Sequence, residues 1–451
     1  MRMLGLALFA VSLSASIVTA TSGSIAARDN ITNKVLEVTV DDYSSGTVTP
    51  SSQNRAESLR KRQSSLAYTQ VNLASVFGRA YLAKVTVGSQ PVALAIKTAS
   101  PNTWVTEEGF ICLDHQREVE LDQSKCRLGP LYNREKSETY IDDRVAFQQA
   151  LMHGPGIRGH WAIDELGTGG VHGGQFPNIM TPMLLGIAEA GMWNGENICS
   201  GSMGLSFPRR AEAQDGQLRP TRSVLYSLFN QAFILPIFSL ALNRPTADDP
   251  STGGFLGLGG IPNVKTDNRW VETPTTPIAQ DLYDDYIIRV EGFNITPPAG
   301  SFSTEPPGGR YVSSRLRMAI DSGKSSLVVP NRVAAYFASL FKPAASYDPR
   351  EDRYFVPCNA RENAPRIGIK IEGTSYFIST EDLLTPMPGR HGIPVCRLAV
   401  VPSNGLFPTL GVAWLKNVVV EFDMTNYMDV NRRGSRFFRH GVVRIAGRQS
   451  Y

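Results

Sequence analysis

The sequence predicts an all-β fold: two β lobes with a cleft between them and a few short helices. Three observations carry that expectation. Apolar and polar residues alternate with a period of two, as in Ala83, Val85 and Val87 around Lys84 and Thr86, and in Ile367, Ile369 and Ile371 around Gly368 and Lys370. With 40 glycines and 29 prolines the chain is cut into short apolar runs separated by turns. Two similar turn motifs, "AIKTAS" at 95–100 and "AIDSGK" at 319–324, each follow a strand pattern and precede an apolar segment. That is the trace of an internal duplication, with one site expected between the halves.

The elements follow in chain order. At 451 residues the chain is long enough for two lobes, each with its own core. Arg2 precedes the apolar run from Met3 to Val18, and Val18-Thr19-Ala20 ends in small residues. Residues 1–20 are therefore expected to be a signal peptide and the protein to be secreted and extracellular. Residues 21–62 are polar and close on Leu59-Arg60-Lys61-Arg62, a dibasic site a processing protease can reach. We expect a propeptide there, an N-terminal β lobe with a flap over 63–236, and a C-terminal β lobe over 237–451. "SVLYSLFNQAFI" (223–234) and "NRVAAYFASLF" (331–341) are the clearest helical patterns, and "NVVVEF" (417–422) is a buried-strand run.

Several function classes are excluded at this stage. A net charge of only +4 carries no field suited to nucleic acid. No stretch after the leader reaches the ~18 apolar residues of a membrane span. The six histidines and five cysteines show no metal-ligand spacing, so neither metal nor cofactor is expected. "SGKSS" at 322–326 is no phosphate loop, because the first glycine of that pattern would fall on Met318. Cys112 with Cys126 closes a short loop and Cys358 with Cys396 a longer one, as suits an oxidising compartment; Cys199 is left over, expected buried and inert.

From about residue 68 to the end the chain resembles the pepsin-type aspartic proteases (peptidase A1). "YLAKVTVGSQPVALAIKTASPNTWV" is similar to the family's opening hairpin and first active-site strand. "LYNREKSETY" (131–140) resembles its FDPSKSSTY-like turn, "LGTGGVHGG" (166–174) its flap, and "SGSMGLSFP" (200–208) its DGILGLG strand. "GGFLGLGGI", "MAIDSGKSSLVVP" (318–330) and "PTLGVAWLKNVVVEFDMTN" match the lobe connection, the second active-site turn and the late strand. Cys112–Cys126 and Cys358–Cys396 fall where that family has disulfides. The resemblance implies a bilobal pepsin-like fold of two six-stranded-type lobes.

The family's chemistry needs two carboxylates that share one proton and activate a water between them. Asp321 matches the second carboxylate; Lys97 stands at the position of the first. An ammonium donates protons and cannot accept one unless neutralised. Opposite charges 4 Å apart gain about 4 kcal/mol at an effective dielectric of 20, so an ion pair between Lys97 and Asp321 is expected. Thr98 and Ser322 keep the hydroxyls that link the two turns in the family, and Ser100 and Gly323 are retained. Ala99, Lys324 and Ser200 depart from the pattern. In the flap, Leu166 stands at the tyrosine position, followed by Gly167, Thr168 and Gly169.

Three functional readings compete. The first is a catalytically inactive member, expected to be monomeric, that binds a peptide or protein ligand in the interlobe cleft. The second is an acid endopeptidase using Asp321 with an atypical carboxylate such as Asp164 or Glu165. The third is a structural or storage protein with an unused cleft. Asn30 and Asn294 head glycosylation sequons, the second followed by Pro297. The basic tail from Arg432 to Arg448 is expected to be a solvated final hairpin.

Overall fold

The computed structural model describes residues 68–449, except 115–118, 151–155, 169–177, 194–196, 208, 213–217, 222–223, 232–233, 247–248, 250, 278–284, 299–309, 388–393 and 426–440. The expected signal peptide, the expected propeptide and Asn30 lie outside the described residues. Strands β1 (Thr69–Val76), β2 (Ala80–Val87) and β3 (Gln90–Lys97) form an antiparallel meander. The alternation seen in the sequence places Ala83, Val85 and Val87 in the core. Gly88 and Ser89 join β2 to β3 with φ of 51° and 64°, the two left-handed positions of a tight hairpin turn. Gly88 is also required for space: a Cβ there would lie 2.5 Å from Asp164 Oδ2.

The duplication is visible in strand pairing. Beyond the Lys97 turn come β4 (Trp104–Cys112), β5 (Ile141–Gln149), β6 (Ile157–Gly167), β7 (Met180–Gly191) and β8 (Gly201–Gly204). β3 runs parallel to β8, which pairs antiparallel with β4, which runs parallel to β7. In the second half, strand Arg310–Ile320 runs parallel to Thr409–Leu410. That strand pairs antiparallel with Leu327–Val329, which runs parallel to Val400–Pro402. Each motif turn therefore emerges from the same three-step arrangement. A turn set on a central strand with partners on both sides is held rigidly, as a site requires.

A shared sheet joins the halves. β1 pairs with Thr252–Leu258, which pairs with Ile237–Leu242; the order continues through Val418–Asp423 and Val442–Gly447. The expected lobe boundary at 236/237 thus falls at the entry to a strand of this common layer. An aromatic cluster lies in the core here. Phe238 stacks on Phe422 at 4.4 Å, Tyr286 meets Phe422 at 4.5 Å and Phe207 at 4.7 Å, and the Tyr286 hydroxyl donates to Leu205 O. Burying the Tyr286 hydroxyl costs little because that donor is satisfied. Helices are short: Val224–Gln231, Asn331–Ser339, Thr380–Leu383 and Val412–Leu415 among the described residues.

Disulfides Cys112–Cys126 and Cys358–Cys396 are both formed. Cys199 is free and buried among Val76, Leu82 and Ala95; burial pushes its thiol pKa up, the direction of an inert thiol. No helix of the described residues is long and apolar enough to cross a membrane.

Candidate active-site cleft

The two turns are clasped together by side chains of equivalent position. Thr98 Oγ1 donates to Ile320 O at 2.7 Å and accepts from Ser322 N at 2.9 Å. Ser322 Oγ donates to Ile96 O at 2.8 Å and accepts from Thr98 N at 3.1 Å. Thr98 and Ser322, 224 residues apart, are both buried. Each hydroxyl uses its one donor and one acceptor on the other half's backbone, so neither is left unsatisfied in the interior.

Above this clasp lie Lys97 and Asp321, each half-buried. Asp321 Oδ1 accepts from Gly323 N at 2.7 Å. The Lys97 stem crosses Gly323: a Cβ at that glycine would lie 2.5 Å from Lys97 Cδ, 2.9 Å from Lys97 Nζ and 3.0 Å from Asp321 Oδ1. The ammonium and the carboxylate thus flank one small volume. The expected ion pair is nevertheless not formed, since no contact within 4.0 Å joins them. The geometry supplies a reason. Gly323 N–H already serves Oδ1, and the lysine stem packs over the bare glycine with its head toward the open cavity.

That cavity, about 180 Å³, is lined by Lys97, Ala99, Ser100, Asp321, Gly323 and Lys324. Lys97 and Asp321 are thus brought to one cavity from the two halves. Ser100 Oγ, at the cavity wall, accepts from Asn102 N at 3.4 Å; Ser200, not among the lining residues, accepts through Oγ from Ala93 N at 3.2 Å. Among the described residues no group of side chains could hold a metal ion.

The flap assignment requires correction. Leu166 is fully buried in the core and pairs with Val87, and Gly167 pairs with Thr86, at the hairpin end of β2. Val87 lies opposite Gln90, and Lys97 lies about 23 Å further along β3 at ~3.3 Å per residue. Thr168 is buried, its Oγ1 accepting from Ile179 N, and Gly169 lies outside the described residues. This end of the β6–β7 hairpin is remote from the Lys97 turn. The hairpin of β5 and β6 instead approaches it: Asn102 Nδ2 donates to Gln149 Oε1 at 2.9 Å. The repeated glycines of "LGTGGVHGG" imitate a flap in sequence, but register overrules them. Asn102 and Gln149 were missed, and amides carry no sequence signal of such a contact.

Asp164 and Glu165, the alternative carboxylates, sit at the same remote end. Asp164 is buried and accepts from Tyr132 Oη at 2.6 Å, Ser137 Oγ at 2.9 Å, Thr139 Oγ1 and Glu165 N at 2.7 Å. Burial and the Asp164 bond push the Tyr132 hydroxyl above its ordinary range, keeping it a donor. Asp164 therefore pins the 131–140 turn, buried at the end of β6 remote from the Lys97 turn. Asn294 lies inside strand Ile287–Thr296, paired on both sides, with Nδ2 donating to Ser375 Oγ.

Doubled turns, clasped beneath a cleft between β lobes, define a protein of pepsin-like architecture. The comparisons agree: residues 80–429 match the family model described as eukaryotic aspartyl protease, and the chain belongs to that family. A probable aspartic-type endopeptidase of Aspergillus fumigatus is 29% identical over 364 residues, covering 77% of each chain. Cathepsin D of Bos taurus is 23% identical over 369 residues, covering 78% of this chain and 83% of its own. The crystal structure of an aspartic proteinase from Irpex lacteus matches with a TM-score of 0.60 at 15% identity. It covers 85% of this chain and 98% of its own, a likeness of fold.

Proposed function

We propose that this chain is a non-catalytic aspartyl-protease-like protein, exported and processed near Arg62, that holds a peptide or protein segment in its interlobe cleft. The observation that carries the reading is Lys97 standing opposite Asp321 across Gly323. Acid hydrolysis of a peptide needs one carboxylate to take the water's proton while the other gives one to the substrate. Among the described residues Asp321 is the only carboxylate lining the cavity, and the group facing it is an ammonium that carries no lone pair while protonated. The clasp of Thr98 and Ser322, which orients the turns, is kept although the chemistry it would serve is not supported. A maintained cleft with altered chemistry suits binding.

The test is digestion of denatured protein by the purified secreted chain from about pH 2 to pH 7. No cleavage is expected, together with co-purified peptide detectable by mass spectrometry after acid elution. Cleavage that disappears in Asp321→Asn would overturn the reading. Absence of both cleavage and ligand would favour the unused cleft. Sequencing of the secreted chain should give an N-terminus near Gln63; one near Thr21 would remove the processing step.

A further inference from the structure

A second charged recess lies on the far side of the Asp321 turn, away from the cleft cavity. It is lined by Gly78 and Arg79 from the β1–β2 turn, by Ser326 just after the Asp321 turn, and by Thr385, Arg397 and Lys416. Arg397 lies directly opposite both Phe355 and Thr385 in the small sheet formed by Arg353–Pro357, Val395–Leu398 and Leu384–Met387. Arg353, two residues before Phe355, presents its side chain on the same face, diagonal to Arg397. Arg353 Nη1 donates to Ser326 Oγ at 2.8 Å, which leaves the serine hydroxyl proton free to donate onward.

The cations here have no carboxylate in direct contact; Asp352 and Glu351 act on Arg353, and Glu351 on Arg397, only from farther away. Among the described residues no carboxylate lies within 4.0 Å of Arg79, Arg353 or Arg397. The one carboxylate in the recess wall, Asp382, is spent: it pairs with Arg244 at 2.7 Å and Lys416 at 2.7 Å and accepts from Asn417 Nδ2 at 2.9 Å. Burial holds the Arg353 and Arg397 guanidinium pKa values below their ordinary range, and repulsion from Arg353 and Arg79 adds to this at Arg397. Converging, half-buried guanidiniums repel one another and cost stability unless an anion sits among them.

We propose that this recess is a binding site for a tetrahedral oxyanion, phosphate or sulfate, held by Arg79, Arg353 and Arg397 with the Ser326 hydroxyl. The enclosed part of the recess is about 20 Å³, room for one water-sized atom. One oxygen of the anion therefore enters past Ser326, and the others stay at the mouth against the guanidiniums. Guanidinium forks match such oxygens in pairs, whereas a monatomic anion fills only one contact. The occupant would tie the β1–β2 turn to the segment leaving the Asp321 turn, so it would brace one of the two clasped turns without entering the cleft.

The experiment is calorimetric titration of the mature chain with inorganic phosphate, sulfate and chloride at constant ionic strength. A phosphoserine peptide in a parallel arm distinguishes a free ion from a phosphorylated partner as the source. Saturable binding of phosphate or the peptide, and not of chloride, is expected. Arg79→Gln, at an exposed position, should weaken binding roughly 10-fold, the loss of one charge-assisted contact. Arg397→Gln should raise the thermal midpoint in chloride, by relieving repulsion, and abolish the rise that phosphate produces. Absence of saturable oxyanion binding, or affinity unchanged in both variants, overturns the proposal.

Discussion

At the scale of single residues the question is what replacing one carboxylate by lysine does to its neighbours. Lys97 does not neutralise Asp321 by direct contact; its stem and ammonium lie over Gly323 beside the carboxylate. Lys97→Asp alone is therefore expected to restore no measurable acid proteolysis. The duplication explains why. A Cβ at Gly323 would press on the residue at position 97, so the methyl of Ala99, its counterpart, is expected to press toward Asp321 in the same way. Lys97→Asp with Ala99→Gly is the smallest change that recreates two equivalent turns, and a peptide-cleavage assay on both variants separates the two obstacles. Activity in the single variant would show that Ala99 is tolerated. The clasp makes a second prediction. Ser322→Ala leaves Ile96 O and Thr98 N buried without their partner, which should cost about 1–3 kcal/mol in urea denaturation.

At the scale of elements, the strands and the two longer helices were legible because apolar spacing reports burial directly. The paired turns were legible too, since "AIKTAS" and "AIDSGK" repeat both a local pattern and its flanking strands. Register was not. Leu166 belongs to the core because β6 pairs with the end of β2, and nothing in "LGTGGVHGG" encodes which strand lies alongside. The ion pair failed for a related reason. Charge alone favours contact, but the path of the lysine stem over a bare glycine and the donor at Gly323 N depend on three-dimensional placement. The corrected register yields its own test. Leu166→Tyr inserts a larger ring and a hydroxyl into a filled core, so it should lower stability by about 1–3 kcal/mol and leave cleft ligand binding unchanged. An altered ligand affinity with no loss of stability would return Leu166 to the cleft.

At the scale of the whole molecule, the sheet that joins the halves also sets how stability responds to pH. Glu421 lies in strand Val418–Asp423, between Ile237–Leu242 and Val442–Gly447, and pairs with Arg444 at 2.8 Å. Burial raises its pKa, and the Arg444 charge pulls it only partly back. Glu107, also buried, is raised by the same cause and drawn down by Arg134. A carboxyl group with a raised folded pKa binds its proton more tightly in the folded state than in the unfolded chain. Its contribution is full below the unfolded value of about 4.3, and it declines as pH rises toward the folded value. Above that value the decline stops. Both residues therefore favour the fold in acid, the opposite of a surface-paired carboxylate. Glu421→Gln keeps an acceptor for Arg444 and removes the proton equilibrium. The thermal midpoint of the wild type, measured relative to Glu421→Gln, should fall as pH rises above about 4.3 and level off once the folded carboxyl has ionised. A difference that stays constant across that range, or that grows with pH, would mean Arg444 outweighs burial and would reverse the assignment of Glu421 as an acid-favouring group.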